Sequence, residues 1–179
     1  MRTVDTLWHP QPVCGDARLR QWLLDRGSLT RRIQIRCDSF RLDVLSQCAA
    51  TVHRDERAAI GLRARARCVV REVSLNCGRL PLVFAHSVAA PRTVRGAWRM
   101  LSGLGARPLG AALFADPRIT RYPLRFCQLN RRHALHQRAC GLLDESPAVL
   151  WARRSLFVLC GSPLLVTEVF LPAILGLAP

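Results

Sequence analysis

The chain has 179 residues, with 27 basic against 12 acidic side chains, a formal net charge of +15 and a sequence pI near 11.4. That length fits one domain of the usual ~100 to 200 residues with a substantial core, so a single domain over 1–179 is expected. Every basic residue is Arg, scattered from Arg2 to Arg154 with no long basic run or aromatic-interleaved stripe, which argues against a nucleic-acid groove and for a solvated basic surface that attracts small polyanions.

The lead MRTVDTLWHPQPVCG lacks the apolar core of a secretory signal, so a cytoplasmic protein is expected, and the eight cysteines, without C-x-x-C or zinc-module spacing, read as reduced thiols. From Asp16 to Asp25, Leu19, Trp22 and Leu23 fall at helical spacing, with Asp16 near the amino end. Gly27 stops this helix, Ser28 can begin another turn, and Leu29 is a lone apolar residue in the break. Residues 31 to 46 alternate, with Ile33 and Ile35, then Phe40, Leu42 and Val44, around Cys37-Asp38-Ser39, which predicts a hairpin. The Cys48 to Arg67 stretch has poor periodicity and reads as a long connection, partly helical at most.

Cys68 to Cys77 separates cleanly in strand phase: Val69, Arg71, Val73 and Leu75 share one face, Cys68, Val70, Glu72 and Ser74 the other. Arg71 is thus a charge on an apolar side, while Glu72 can be solvated. Leu82 to Ala89 returns as its hairpin partner. Thr93 can cap a helix whose Val94, Ala97, Trp98, Leu101 and Leu104 form a buried stripe ended by Gly105. Pro108-Leu109-Gly110 is a second break holding a lone Leu, before the short apolar piece Ala111 to Phe114. Backbone N–H groups freed at such breaks can bind an anion or hydroxyl.

Ile119 to Leu129 is weakly strand-like, with Pro123 marking an edge or bulge, and Asn130 to Pro147 reads as a loop in which His133 and His136 are solvated. Trp151 to Cys160 and Leu164 to Leu171 form a hairpin across Gly161-Ser162-Pro163. Glu168 stands in the apolar run LLVTEVFLP, and an unpartnered carboxylate out of water costs several kcal/mol, so it demands a cation, a ligand or a raised pKa. Arg71 is its candidate partner, as a structural ion pair or as the other half of a buried polar site. This apolar tail is interrupted by Glu168 and Pro172 and is shorter than the ~20 residues of a membrane span. The count is six main strands in three hairpins with helices between them, an α+β antiparallel sheet with helices on one face.

Four strings, RGSLTRR (26–32), VREVSLNCGRLPLVFAHSVAAP (70–91), LGARPLGAALF (104–114) and ARRSLFVLCGSPLLVTEVFLP (152–172), run in order over most of the chain, and together they resemble the chorismate lyase family. The resemblance implies a six-stranded antiparallel sheet whose internal pocket is closed by two helix-turn-helix flaps, with no metal or cofactor. Carried over by motif, the family's ligand-contacting Arg and Glu fall on Arg71 and Glu168, and its flap positions on Leu29 and Leu109. His86 stands where the family string has Arg, and the 48–67 and 130–147 segments are longer than in compact relatives.

The implied reaction eliminates pyruvate from chorismate to give 4-hydroxybenzoate, a first committed step toward ubiquinone, with product inhibition expected of a sealed pocket. The expected protein is a monomer whose only partners are small molecules. The alternative is a sensory domain of the same fold, as in effector domains of transcription regulators, that binds a small aromatic acid without changing it.

Overall fold

Apolar runs separated by tight turns leave their backbone amides little choice but to pair with one another. In the computed structural model, which describes residues 7–63 and 66–178, they form one antiparallel sheet of seven strands with short helices, a mixed α+β fold. The strands are β1 (Phe40–Ala50), β2 (Cys68–Cys77), β3 (Leu80–Ala89), β4 (Thr120–Arg121), β5 (Arg125–Asn130), β6 (Val149–Leu159) and β7 (Ser162–Phe170). The order is β1-β2-β3-β7-β6-β4, with β5 also pairing to β6. Pro123, lying between β4 and β5, accounts for the interrupted edge that the sequence predicts there.

The helices are α1 (Ala17–Leu24), α2 (Leu29–Gln34), α3 (Arg54–Ala59), α4 (Pro91–Arg95), α5 (Leu109–Ala115) and α6 (Ala134–Cys140). Asp16 caps α1 through the Leu19 N–H at 2.9 Å, and Ser28 caps α2 through the Arg31 N–H at 3.4 Å. On one face of the sheet, Trp22 and Leu23 of α1 and Leu29 and Ile33 of α2 pack with Val73, Leu75, Val83 and Phe170. On the other face, Leu135 and Ala139 of α6 pack with Phe84, Ala152 and Val169, and Ile60 after α3 packs with Val70, Val88 and Leu165.

Several expectations are corrected. Residues 31–36 are no strand: Leu29 and Ile33, four apart, are the buried helical stripe, and Ile35, the apparent alternating partner, is 70% exposed. The first predicted hairpin therefore does not exist, and β1 pairs with β2 instead. Five of the six predicted strands remain, and the two short edge strands bring the sheet to seven. Helices cover both faces, not one. Thr93 lies inside α4, whose N-cap is Ala90 with Pro91 following; the helix stops at Gly96 and a 3-10 turn, Arg99–Gly103, carries Leu101 into the core. The Asn130 to Pro147 loop contains α6, and His136 on it is 1% exposed, its Nε2 2.9 Å from the Pro147 carbonyl. His133 is the N-cap of that helix, its Nδ1 accepting the Leu135 N–H. The Cys48 to Arg67 connection begins as the end of β1 and contains α3.

The cysteines are not all thiols. Cys37 and Cys77 form a disulfide, because the Phe40–Cys77 pairing lays the turn after α2 against the end of β2 and brings their Cα atoms to 5.8 Å. The first six residues of the lead and residues 64–65 of the connection lie outside the described residues. No helix among the described residues is long and apolar enough to cross a membrane.

Candidate active site

Antiparallel register sorts the sheet into cross-strand rows on the face that carries α1, α2 and α5. Val73, Ala85, Glu168 and Arg153 make one row, and Arg71, Ser87, Val166 and Ser155 the next. These rows, Arg153 excepted, floor a cavity roofed by Gly27, Leu29, Thr30, Leu109, Gly110 and Leu113, with about 600 Å³ of space when its open mouth is included. Leu29, Arg71, Leu109 and Glu168, the four positions singled out in the sequence, all line it.

Arg71 and Glu168 do not pair with each other. They lie two strands apart and one residue pair out of step, roughly 10 Å across the sheet and 7 Å along it. The cation that Glu168 requires is Arg153, directly opposite on β6: its Nε donates to Glu168 Oε2 at 2.6 Å. Arg153 is fully buried, and its Nη1 also donates to the carbonyls of Trp22 (2.9 Å), Leu23 (3.3 Å) and Asp25 (2.6 Å), fixing the end of α1 to the carboxylate. A sequence signal for this pair exists. The β6–β7 turn is centred on Cys160-Gly161, both at positive φ, and folding the hairpin there sets residue 153 opposite 168. A turn placed at Gly161-Ser162-Pro163 obscures the match.

Arg71 is 5% exposed, and its Nη2 donates to the carbonyls of Gly105 (2.9 Å) and Arg107 (3.3 Å), the turn that leads into α5, while its buried Nε has no partner. Each helical roof segment is thus rooted on one buried arginine. The two segments meet at Gly110, where a Cβ would stand 3.1 Å from Ser28 Oγ and 3.6 Å from Thr30 Oγ1.

Arg121, missed in the sequence because β4 is so short, is a further cation in the cavity lining. Its Nε donates to Ser155 Oγ at 3.0 Å, its Nη1 to the Arg26 carbonyl, and its guanidinium lies 5.2 Å from the Phe114 ring centre and 5.4 Å from that of Phe157. Burial lowers the pKa of Arg71 and of Arg121, the latter also through the charge of Arg153, so each guanidinium gains from an arriving anion.

The opposite face carries a second polar system, which corrects the reading of Glu72 as solvated. Glu72 accepts from Ser46 Oγ (3.0 Å) and Arg138 Nη1 and lies 2.9 Å from His86 Nδ1. His86 Nε2 is 3.1 Å from Glu56 Oε1, off the line of a good hydrogen bond, and Glu56 also accepts the His53 N–H. Burial would push the Glu72 carboxyl up, but the hydrogen bonds from His86 and Arg138 outweigh it and hold it at about 2. Burial likewise disfavours charge on His86, yet the two carboxylates raise its pKa on balance. Residue 86, the departure noted in the sequence, therefore fills a buried structural position on the face away from the cavity.

A family model described as chorismate lyase matches residues 6–176. The probable chorismate pyruvate-lyase of Nitrosomonas europaea is 53% identical over 167 residues, covering 93% of this chain and 94% of that protein. Its counterpart in Nitrosospira multiformis is 54% identical over 172 residues, 96% of each. Among solved structures, the effector domain of PhnF from Mycobacterium smegmatis aligns with a TM-score of 0.54 at 12% identity, covering 83% of this chain and 91% of that one. A GntR-family transcriptional regulator from Bacillus cereus aligns at 0.55 and 8%, covering 75% and 92%. At such identities the likeness is one of fold.

Proposed function

The chain belongs to the chorismate lyase family, and from that premise we propose that it eliminates pyruvate from chorismate to give 4-hydroxybenzoate in the cavity between Arg71 and Glu168. The observation that carries the reading is the convergence of Leu29, Arg71, Leu109 and Glu168, distant in the chain, on one cavity.

In this reaction the bond between the ring carbon and the ether oxygen breaks with its electron pair leaving on oxygen, one proton leaves the neighbouring ring carbon that bears the hydroxyl, and one proton is delivered to the methylene of the departing enolpyruvyl group. Aromatisation supplies most of the driving force, so the protein contributes position and charge. Arg71, with Nε unpartnered, binds a substrate carboxylate. Glu168, held by Arg153, hydrogen-bonds the ring hydroxyl and carries the ring proton. The N–H groups of Leu29 and Leu109, at the first positions of α2 and α5, complete the ligand's hydrogen bonds, and both side chains cover the ring.

The α1–α2 and α4–α5 segments act as the two flaps. Their closure makes product release slow and product inhibition strong. We read the protein as a monomeric, single-domain, cofactor-free cytoplasmic enzyme whose product feeds ubiquinone synthesis.

Incubation with chorismate, following pyruvate and 4-hydroxybenzoate together by chromatography, tests the reading. Equal amounts of both are expected, and Glu168→Gln should keep the fold while losing most turnover; wild-type turnover in that variant would remove Glu168 from the mechanism. The fold likeness to regulator effector domains favours one other reading. Tight 4-hydroxybenzoate binding with neither product formed would make the protein a sensor.

A further inference from the structure

We infer that Arg121 is the second carboxylate-binding residue of this cavity and makes it selective for a ring bearing two carboxylates over a ring bearing one. The inference deepens the lyase reading and rests on it for the identity of the dianion.

The argument begins with charge. Four ionisable side chains meet at the cavity: Arg71, Arg121, Glu168 and, directly behind Glu168, Arg153. Arg153 and Glu168 neutralise each other at 2.6 Å. Arg71 is held only by carbonyl oxygens, and Arg121 by one hydroxyl and one carbonyl; neither has a carboxylate partner among the described residues. Two uncompensated guanidinium groups therefore face one enclosed space, which suits a ligand of charge −2. A monoanion leaves one of them unmatched.

Position follows from the sheet. Arg71 is on β2 and Arg121 on β4, at opposite sides of the cavity, with β3, β7 and β6 between them. Glu168 on β7 lies between the two, and its charge acts on Arg121. A ring whose carboxylate meets Arg71 points its para hydroxyl toward Glu168. A substituent on the carbon beside that hydroxyl then leads toward β6 and β4, where Arg121 stands. In chorismate this substituent is the enolpyruvyl ether, and its carboxylate is the charge that leaves with pyruvate.

The local build matches this role. Arg121 is clamped by Ser155 and the Arg26 carbonyl and set against the rings of Phe114 and Phe157, while its Nη2 makes no hydrogen bond with the described residues. A guanidinium fixed on one side with a donor still free is prepared to receive a carboxylate at little ordering cost. The product, having lost the second carboxylate, loses this contact and keeps the one to Arg71. Substrate and product are thereby told apart by one residue.

Calorimetry with two unreactive ligands tests the assignment. One is 4-hydroxybenzoate. The other is 3-(carboxymethoxy)-4-hydroxybenzoate, which carries a second carboxylate on an ether beside the hydroxyl. Wild-type protein should bind the dicarboxylate more tightly than the monocarboxylate. Arg121→Gln should weaken the dicarboxylate about ten- to a hundredfold, the range for a hydrogen bond to a charged group, and 4-hydroxybenzoate by less than about threefold. Arg121→Lys should recover part of the loss. Retained 4-hydroxybenzoate binding shows that each variant is folded. Equal weakening of both ligands, or no weakening of the dicarboxylate, would overturn the inference. So would a wild-type protein with no preference for the dicarboxylate, an outcome that needs no variant. A wild type that prefers the dicarboxylate through Arg121 but never releases pyruvate from chorismate ends the lyase reading alone; full turnover with an Arg121→Gln kcat/KM equal to wild type ends this one alone.

Discussion

A single buried side chain, Arg153, links the candidate site to its roof. It neutralises Glu168 and satisfies three carbonyls at the end of α1 and just beyond it. Removing one member of such a system leaves the other charge uncompensated, whereas replacing both with apolar groups can be nearly neutral. Arg153→Met should therefore cost about 3–5 kcal/mol in urea unfolding, and Arg153→Met with Glu168→Leu should cost less than Arg153→Met alone. A double variant less stable than the single one would show that Arg153 acts mainly through the α1 carbonyls. At this scale the sequence was informative at Arg71 and Glu168, where a charge interrupts an apolar phase, but not at Arg153 or Glu72. It was uninformative at Arg121, since a two-residue strand has no phase to read.

Among elements, α2 and α5 meet over the cavity, and in the proposed reading their contact governs access to it. Ser28 and Gly110 stand at that contact, close enough for a disulfide to bridge them. A Ser28→Cys/Gly110→Cys variant should therefore lose turnover when oxidised and regain it on reduction; full activity after verified crosslinking would mean that these helices do not part for ligand exchange. On the other face, α3 and α6 dock on the sheet through Glu56, Glu72, His86 and Arg138, with His53 at the start of α3. His86 has its pKa raised by folding, so its contribution to stability is complete below about 6.5 and is lost as pH rises through the higher folded value. Glu72 has its pKa lowered to about 2, so its contribution is present above about 4.5 and is lost as pH falls toward 2. Urea midpoints should fall on the alkaline side of neutrality, and His86→Gln should remove that slope. An unchanged slope in the variant would place the alkaline loss elsewhere.

Over the whole molecule, the charge of +15 surrounds a cavity with two uncompensated guanidinium groups. Chorismate is a dianion, and attraction between opposite charges is screened by salt. The kcat/KM for chorismate should fall severalfold between about 20 mM and about 300 mM sodium chloride, where the Debye length shrinks from roughly 20 Å to roughly 6 Å. A flat profile would confine the electrostatics to the cavity itself. The sequence alone determined β2, β3, β6 and β7 and the two hairpins they form, the break positions of Leu29 and Leu109, and the isolated charges Arg71 and Glu168, because each is written in local periodicity or turn chemistry. Only the tertiary structure decided that residues 31–36 are helical, that Cys37 meets Cys77, and that Arg121 joins the cavity. Those features depend on which strands become neighbours, and pairing between distant segments is chosen by the combined burial of both faces of the sheet, which no local window contains.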